Sequence, residues 1–511
     1  MTDRALSLFR TVLHPVLSSL RLRTGGNGNL PVAPHHSVPA LNLSGIILSR
    51  PRQGGDFNST LAGAHMAEAM YGGIYEFGGA RVDALPDAVF ASAAPSKDWR
   101  SGLLRLEWLA GFRASGRPVH GLFALRLLAA WMKAHPQCAS AADQVAALFS
   151  LAVDAPAIAA EQSPAAIALA TAAILRAQGP VLKIKPASAE EAFARASALL
   201  AAHLATRRGD PQRLKLVQEL TDALSALLHP DGSLRQGSID DLCRLAARLW
   251  TLTDGLTRAG DGVPSGLSAL VARIGSYLAL VTRGDGTLAF AEAPELQSPS
   301  AALPLQGSAL AGDAGHARLA GGQTLLHVAL QNAAHAHGLR LEMSDGGRAL
   351  IWLEQHGTRS GTGGGSHALH CAPGGTLLEQ HGGDGPADPC HLAIFLSGDG
   401  SDIRLEDRTA PHDGTAYLVH VPETAKLSTT HNGSGAMILP AVGQPWQVLV
   451  RGGIIDVEHG CFRISAGPDD GHPLNFALKR VPRSDRAPAG RPAPARQPRG
   501  RERPPANPRL L

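Results

Sequence analysis

Large rings are scarce in this chain: tryptophan, tyrosine and phenylalanine make up only 4% of 511 residues, while glycine alone occurs 57 times. A core filled by small side chains leaves each large apolar residue with more of the packing to do. Cysteine is scarce too. Cys138, Cys243, Cys371, Cys390 and Cys461 are odd in number, widely spaced and form no CxxC pair, which argues against a disulfide framework or a zinc knuckle. Cys390-His391 with His370-Cys371 matches no zinc spacing, so no metal is expected. There is no glycine-rich phosphate loop and no GxSxG elbow, and no cofactor is implied. No unbroken run approaches the 18 or so apolar residues of a transmembrane helix, so a soluble chain is expected.

Net positive charge is missing from the body of the chain. The formal net charge is +4. Arg483 to Leu511 holds eight arginines against Asp485 and Glu502, a net +6, so the remainder carries −2. The folded body therefore offers no basic groove for nucleic acid. The tail itself, rich in Pro, Arg and Ala, has almost nothing to bury and is expected to be disordered. At the other end, Leu6, Phe9, Val12, Leu13, Val16, Leu17 and Leu20 are broken by Arg4, Arg10 and His14. That spacing suits an amphipathic helix, not the apolar stretch of a signal peptide.

At this length two domains with appendages are expected. Residues 1–98 read as the N-terminal helix and an irregular extension, with ordered pieces at Leu41 to Leu48 and Ile74 to Val82. Residues 99–290 carry helical periodicity: Leu104, Trp108 and Phe112 recur every four residues, and Leu122, Leu125, Leu128 and Met132 continue it. Further helices are predicted near 140–152, 164–178, 188–206, 211–229, 238–259 and 264–282, with breakers such as Pro180, Pro186 and His229-Pro230-Asp231-Gly232 between them. After Asp285-Gly286 the period becomes two. Ala317 to Ala320 and Gln323 to Leu330 flank Gly321-Gly322, and Arg340 to Met343 and Ala349 to Glu354 flank Asp345-Gly346-Gly347. Many short strands without crossover helices predict an antiparallel sandwich over 300–482.

Several segments resemble the bacterial heparinase II/III family of polysaccharide lyases. They are Asp98-Trp99-Arg100 with Leu104 to Leu109, then Gly284-Asp285-Gly286-Thr287-Leu288-Ala289-Phe290, then Ala317-Arg318-Leu319 through Ala334-His335-Ala336-His337 to Leu339-Arg340-Leu341-Glu342-Met343-Ser344. The last is Ala416 to Val450, with Pro445-Trp446-Gln447-Val448. The resemblance spans about 45 to 480. It implies an α+β architecture, an incomplete (α/α) toroid followed by an antiparallel β-sandwich, and β-elimination on an acidic, uronate-containing polysaccharide. It also implies a periplasmic or envelope setting, with the cytoplasm as the alternative because no signal peptide is evident.

That reaction needs a base near the C5 proton, an acid for the departing glycosidic oxygen and donors that neutralise the carboxylate. The resemblance points to His335 and His367 as catalytic, with Arg235, Gln236, His337 and Tyr417 as substrate-binding residues. His337 shares a face with His335 in extended chain. The family pattern is not intact. After Asp231-Gly232 the sequence reads Ser233-Leu234-Arg235-Gln236-Gly237-Ser238, without the expected Arg-Asn pair, and the helix near 138–152 lacks the expected Trp and Arg. His412-Asp413-Gly414-Thr415 matches an HDGY motif with Thr415 in place of tyrosine. The register that aligns more residues omits that motif and runs from Arg404-Leu405-Glu406-Asp407-Arg408 into the last strands. A family relative that binds a glycan or a cell-envelope partner without cleaving it is the alternative. A glycoside hydrolase would need a paired acid and base carboxylate, and no such pair stands out.

Overall fold

A computed structural model describes residues 57–134, 138, 140–206, 211–291, 307–330, 339–356, 366–381, 390–408, 416–422, 424–430, 433–458, 461–466 and 473–482. The amphipathic N-terminal segment, Leu41 to Leu48, the HDGT segment and the Arg-rich tail lie outside these residues. The fold class read from sequence is the one observed: helices first, then two large antiparallel sheets.

Ten helices occur among the described residues. The first, α1 (Phe57–Tyr71), falls in a stretch expected to be irregular. It is held by burial, since Ala67 and Met70 are fully enclosed. The hairpin β1 (Ile74–Phe77) and β2 (Ala80–Asp83) follows. The four-residue periodicity at 104–112 is split into α2 (Lys97–Leu104) and α3 (Trp108–Ser115) by Leu106, which adopts a left-handed φ of 58°. The Trp108 indole N–H donates to the Leu103 carbonyl at 3.0 Å, satisfying a group that the end of α2 frees. The Trp99 indole likewise donates to the Tyr75 carbonyl at 2.9 Å. The scarce rings thus pin the start of the helical domain.

Then come α4 (Pro118–Ala134), α5 (Ala141–Ala160), α6 (Pro164–Leu182), α7 (Ala189–Thr206), α8 (Pro211–Leu227), α9 (Ile239–Ala259) and α10 (Ser265–Leu280). Ser140, Ser163 and Ser238 accept hydrogen bonds from backbone amides in the first turns of α5, α6 and α9, so a serine marks each of these starts. Helix α5 packs on both α6 and α7, and α7 on α8, a series of antiparallel hairpins. By length and composition α5 and α6 are apolar enough to cross a membrane, which no continuous apolar run in the sequence suggested. Here 67% and 50% of their apolar windows are buried against neighbouring helices.

The sandwich contains two eight-stranded sheets. The first runs β16 (Gly453–Glu458), β17 (Cys461–Ala466), β12 (Ala416–His420), β7 (Arg348–His356), β6 (Arg340–Asp345), β5 (Thr324–Ala329), β4 (His316–Gly321), β3 (Ala309–Ala311). The second runs β13 (Lys426–Thr429), β14 (Gly435–Leu439), β15 (Trp446–Arg451), β18 (Leu474–Arg480), β11 (Asp402–Asp407), β10 (Cys390–Ser397), β9 (Gly375–His381), β8 (His367–Ala372). Leu326, Val328, Leu341, Leu353 and Val419 face Ile394, Leu405, Trp446 and Phe476 in the core between them. At one corner the β4–β5 and β10–β11 turns meet backbone to backbone. The Gly322 amide donates to the Gly398 carbonyl at 3.0 Å and the Thr324 hydroxyl to the Gly400 carbonyl at 2.8 Å. A Cβ on Gly400, whose φ is +71°, would collide with the Gly321 carbonyl.

The outer face of the first sheet lies on the helices. Cross-strand register puts Arg318, His327, Glu342, Trp352 and His420 in one row over β4, β5, β6, β7 and β12. Buried His327 meets the Thr282 carbonyl at 3.2 Å. Glu342 accepts from Arg283 at 2.9 and 2.5 Å and from the Phe290 amide at 3.0 Å. A second tie comes from Asp231, which accepts from Ser233 in its own turn and from the Ala314 amide of the sandwich at 3.0 Å.

Two outcomes are expected. Gly400→Ala combines a disfavoured backbone with a steric collision and is expected to destabilise the chain by roughly 1–3 kcal/mol in urea titration; an unchanged midpoint would show that the corner tolerates a side chain. His327 supplies a pH dependence. Burial, then the Arg318 and Arg283 cations, depress its imidazole from 6.5 to about 3. The unfolded chain binds a proton there below about 6.5 and the folded chain does not. Its contribution is therefore whole above 6.5 and is lost as pH falls towards 3, at up to about 1.4 kcal/mol per pH unit. His327→Asn, which keeps a donor for Thr282, is expected to flatten that part of the slope between pH 6.5 and 4, and equal slopes in both proteins would refute the assignment.

Candidate functional site

Two turns of similar sequence bring the helical half to the sheet. Asp231-Gly232-Ser233-Leu234 follows α8, and Asp285-Gly286-Thr287-Leu288 follows α10. In each, the aspartate accepts from the backbone N–H and hydroxyl two residues on, and the leucine closes an isolated bridge: Leu228 with Leu234, and Thr282 with Leu288. Gly232 has φ +93° and lies against the Arg273 carbonyl where no side chain fits. Between the first turn and strands β4 to β6 is a cleft of about 230 Å³, lined by Ser233, Gly237, Ser238, Tyr277, Phe290, His316 and Arg340 among others.

The floor of this cleft is an aromatic stack. The His316 ring lies between Tyr277, with centroids 5.8 Å apart, and Phe290, at 5.4 Å, both near parallel. The Tyr277 hydroxyl and His316 Nδ1 are 2.5 Å apart. Tyr277 is 4% exposed and His316 6%. Burial above all, then the negative charge of Asp231, pushes the Tyr277 hydroxyl far above its usual range, so at neutral pH it is a phenol and a proton donor. Phe290 holds a left-handed φ of 61° while its amide is engaged by Glu342. Such a backbone in a residue other than glycine persists only where its surroundings over-determine it.

The residues expected from sequence are scattered. Arg235 and Gln236 are exposed, in the loop whose Ser233, Leu234, Gly237 and Ser238 line the cleft, and Arg235 makes no ion pair among the described residues. His335 and His337 lie outside the described residues; Leu330 and Arg340, on either side of that segment, line the cleft. His367 is not among the lining residues. It opens the edge strand β8, with Nε2 buried and without a hydrogen-bond partner among the described residues. Burial lowers its pKa against the opposing bond with the backbone of Gly312. Tyr417, expected to touch substrate, is fully buried between the sheets with its hydroxyl donated to the Asp407 carboxylate. Alternation along β12 turns Tyr417 and Val419 into the core, where a polymer does not reach.

Tyr277 and His316 were not singled out from sequence. The chain has only four tyrosines, and His316 immediately precedes the strand read at Ala317, so both signals were present. What brings them together is tertiary, a contact across 39 residues and two domains.

The cleft can be set beside known proteins. No family model matches the chain. FtsZ-localized protein C of Caulobacter vibrioides is 29% identical over 248 residues, which are 46% of this chain and 42% of that protein. The chain thus covers less than half the length of the curated relative it matches. Among solved structures, heparinase III superposes with a TM-score of 0.60 at 10% identity, over 92% of this chain and 89% of that one. A mutant of heparan sulfate lyase HepC from Pedobacter heparinus gives 0.59 at 10% identity, over 82% and 83%. At such low identity the likeness is one of fold: this chain has the helical and sandwich architecture of those polysaccharide lyases.

Proposed function

We propose that the chain is a polysaccharide lyase acting by β-elimination on a uronate-containing glycan in the cleft between helices and sandwich. The observation that carries this reading is the close contact of the Tyr277 phenol and the His316 imidazole on the cleft floor. The two groups suit the chemistry. Neutral His316 takes the C5 proton, the C5 electron pair forms the C4–C5 double bond, and the bond from C4 to the glycosidic oxygen breaks. Tyr277 protonates the leaving oxygen. The proton on His316 then returns to the phenolate through their hydrogen bond, restoring both groups. Arg235 supplies a cation for the substrate carboxylate, with Gln236 as a neighbouring donor. His335 and His367, carried over from the family resemblance, are assigned supporting roles in the same reaction.

A second reading has its own support. The match to FtsZ-localized protein C, together with the missing Arg-Asn pair and HDGY tyrosine, favours a relative that binds a glycan or cell-envelope partner without cleaving it.

The test is incubation of the full chain with heparan sulfate, alginate, hyaluronan and pectate, following ultraviolet absorbance of the unsaturated product. Tyr277→Phe and His316→Ala are each expected to lower the rate by roughly 100-fold or more, and Arg235→Ala to lower kcat/KM by roughly 10-fold. His335→Ala tests the carried-over histidine separately. A wild-type rate in Tyr277→Phe would overturn the assignment of the pair. Absence of product from every glycan, with retention of the chain on a glycan gel, would select the binding reading.

A further inference from the structure

Arg235 and Gln236, the residues expected from sequence to grip a substrate carboxylate, are not among those that line the cleft. Arg340 is. It opens β6 with a side chain 42% exposed, and among the described residues it is the lining's one fixed cation, with no carboxylate lining the cleft beside it. Asp231 and Asp241, in the adjoining turn and helix, are committed elsewhere: the first to Ser233 and the Ala314 amide, the second to the Ser238 cap of α9. The other polar groups of the lining are the hydroxyls of Ser233, Ser238 and Tyr277 and the His316 imidazole.

The guanidinium is held in place but not used up. Its Nε and Nη2 both donate to one oxygen of Glu354, at 3.2 and 2.7 Å, and the Trp352 indole donates to the same carboxylate. Burial raises the Glu354 pKa, but the bonds from Arg340 and Trp352 outweigh it and bring the group below its ordinary value, so the tether is an anion at neutral pH. Nη1 makes no hydrogen bond among the described residues, and it is not sealed from solvent. An arginine fork fixed along one edge thus offers its remaining donor to an incoming carboxylate in a set direction.

Strand register sets this donor opposite His316. His316, Ala329, Arg340 and Glu354 are successive cross-strand neighbours on β4, β5, β6 and β7, and the first three line the cleft. Arg340 stands two strands from His316, about 10 Å across the sheet at roughly 4.8 Å per strand. Between them in that row is only the methyl group of Ala329. A sugar ring seated over the alanine has the imidazole at one edge and the guanidinium at the other. We propose that Arg340 selects an acidic sugar in this cleft by binding its carboxylate through Nη1, and that Glu354 is the positioning residue that aims it. Arg340 thereby adds, on a strand inside the cleft, a second cation to Arg235 of the exposed loop. The inference rests on the glycan reading of the cleft and not on catalysis there.

Affinity electrophoresis of the full chain tests the assignment, with gels of alginate, pectate or hyaluronan, whose charges are carboxylates, of dextran sulfate and of neutral dextran. Retardation of the wild type by at least one carboxylated glycan, and not by neutral dextran, is expected. Arg340→Ala should weaken it about tenfold, and Arg340→Lys, which keeps the charge but loses the fork, should recover part of that loss. Glu354→Gln should weaken it about threefold in the wild-type background and have no further effect beside Arg340→Ala. Because the ion pair is partly exposed, Arg340→Ala should melt within a few degrees of wild type, and Arg340→Lys is a second folded comparison. Equal retardation of wild type and Arg340→Ala overturns the proposal, as does retardation by dextran sulfate alone, by neutral dextran as strongly as by the acidic glycans, or by none of the gels. An equal effect of Glu354→Gln in both backgrounds overturns its positioning role. The readout needs no turnover, so retention without an ultraviolet signal removes the lyase reading and leaves the clamp standing, whereas turnover with an unchanged kcat/KM in Arg340→Ala removes the clamp and leaves the lyase.

Discussion

The Glu342 carboxylate is the constraint on which the arrangement of the two halves depends. One oxygen accepts twice from Arg283, at the start of the turn that leaves the helices, and the other accepts the amide of Phe290 at the end of that turn. Both charged side chains are mostly buried, at 14% and 18% exposure, so removing either one strands the other away from water. Because Glu342 sits on β6 between its neighbours β5 and β7, the same carboxylate fixes the sheet and the turn together. It holds Phe290 in a left-handed backbone, and Phe290 in turn forms one wall of the stack around His316. The cleft is therefore set by this ion pair together with the tie from Asp231 to the Ala314 amide.

Much of the architecture was legible because it obeys two periodicities. The long helices from α7 to α10 and the hairpins around Gly321-Gly322 and Asp345-Gly346-Gly347 fall where spacing and turn chemistry put them. What escaped detection had weak local signals. Helix α1 lies in glycine- and histidine-rich sequence and is stabilised by burial that only the folded chain provides. Strands β8, β9 and β10 were not read as strands: β8 carries two histidines in six residues, β9 pairs two leucines side by side, and the apolar residues of β10 run on from Leu392 to Leu396 without alternation. For the site the limit is more basic. Tyr277 lies in a helix whose apolar spacing already accounts for it as core, and nothing local to it announces a histidine 39 residues away. Tyr417 is the converse case: its alternation with Val419 marked it as core, and the family resemblance outweighed that signal.

Scarcity of rings turns out to be a matter of allocation. Tyr75, Trp99, Trp108 and Phe112 are fully buried where the helical domain begins, Trp446 and Phe476 fill the sandwich, and Tyr277 and Phe290 flank His316. Between these places the helices pack through alanine and leucine, as in α5 and α6, whose apolar character serves helix-to-helix contact. Small side chains let helices approach closely and leave little void, so large residues can be reserved for sites where shape or chemistry demands them.

The glycine corner of the sandwich has a consequence for how such a protein can change in length. Only Gly322 and Gln323 separate β4 from β5 there, and backbone of the β10–β11 turn occupies the space above them. At the opposite end of the same strands, Leu330 after β5 and Arg340 at the start of β6 line the cleft. The corner therefore has no room for an added residue, and a change of length in this pair of strands falls at the end that borders the cleft while the far corner stays the same size.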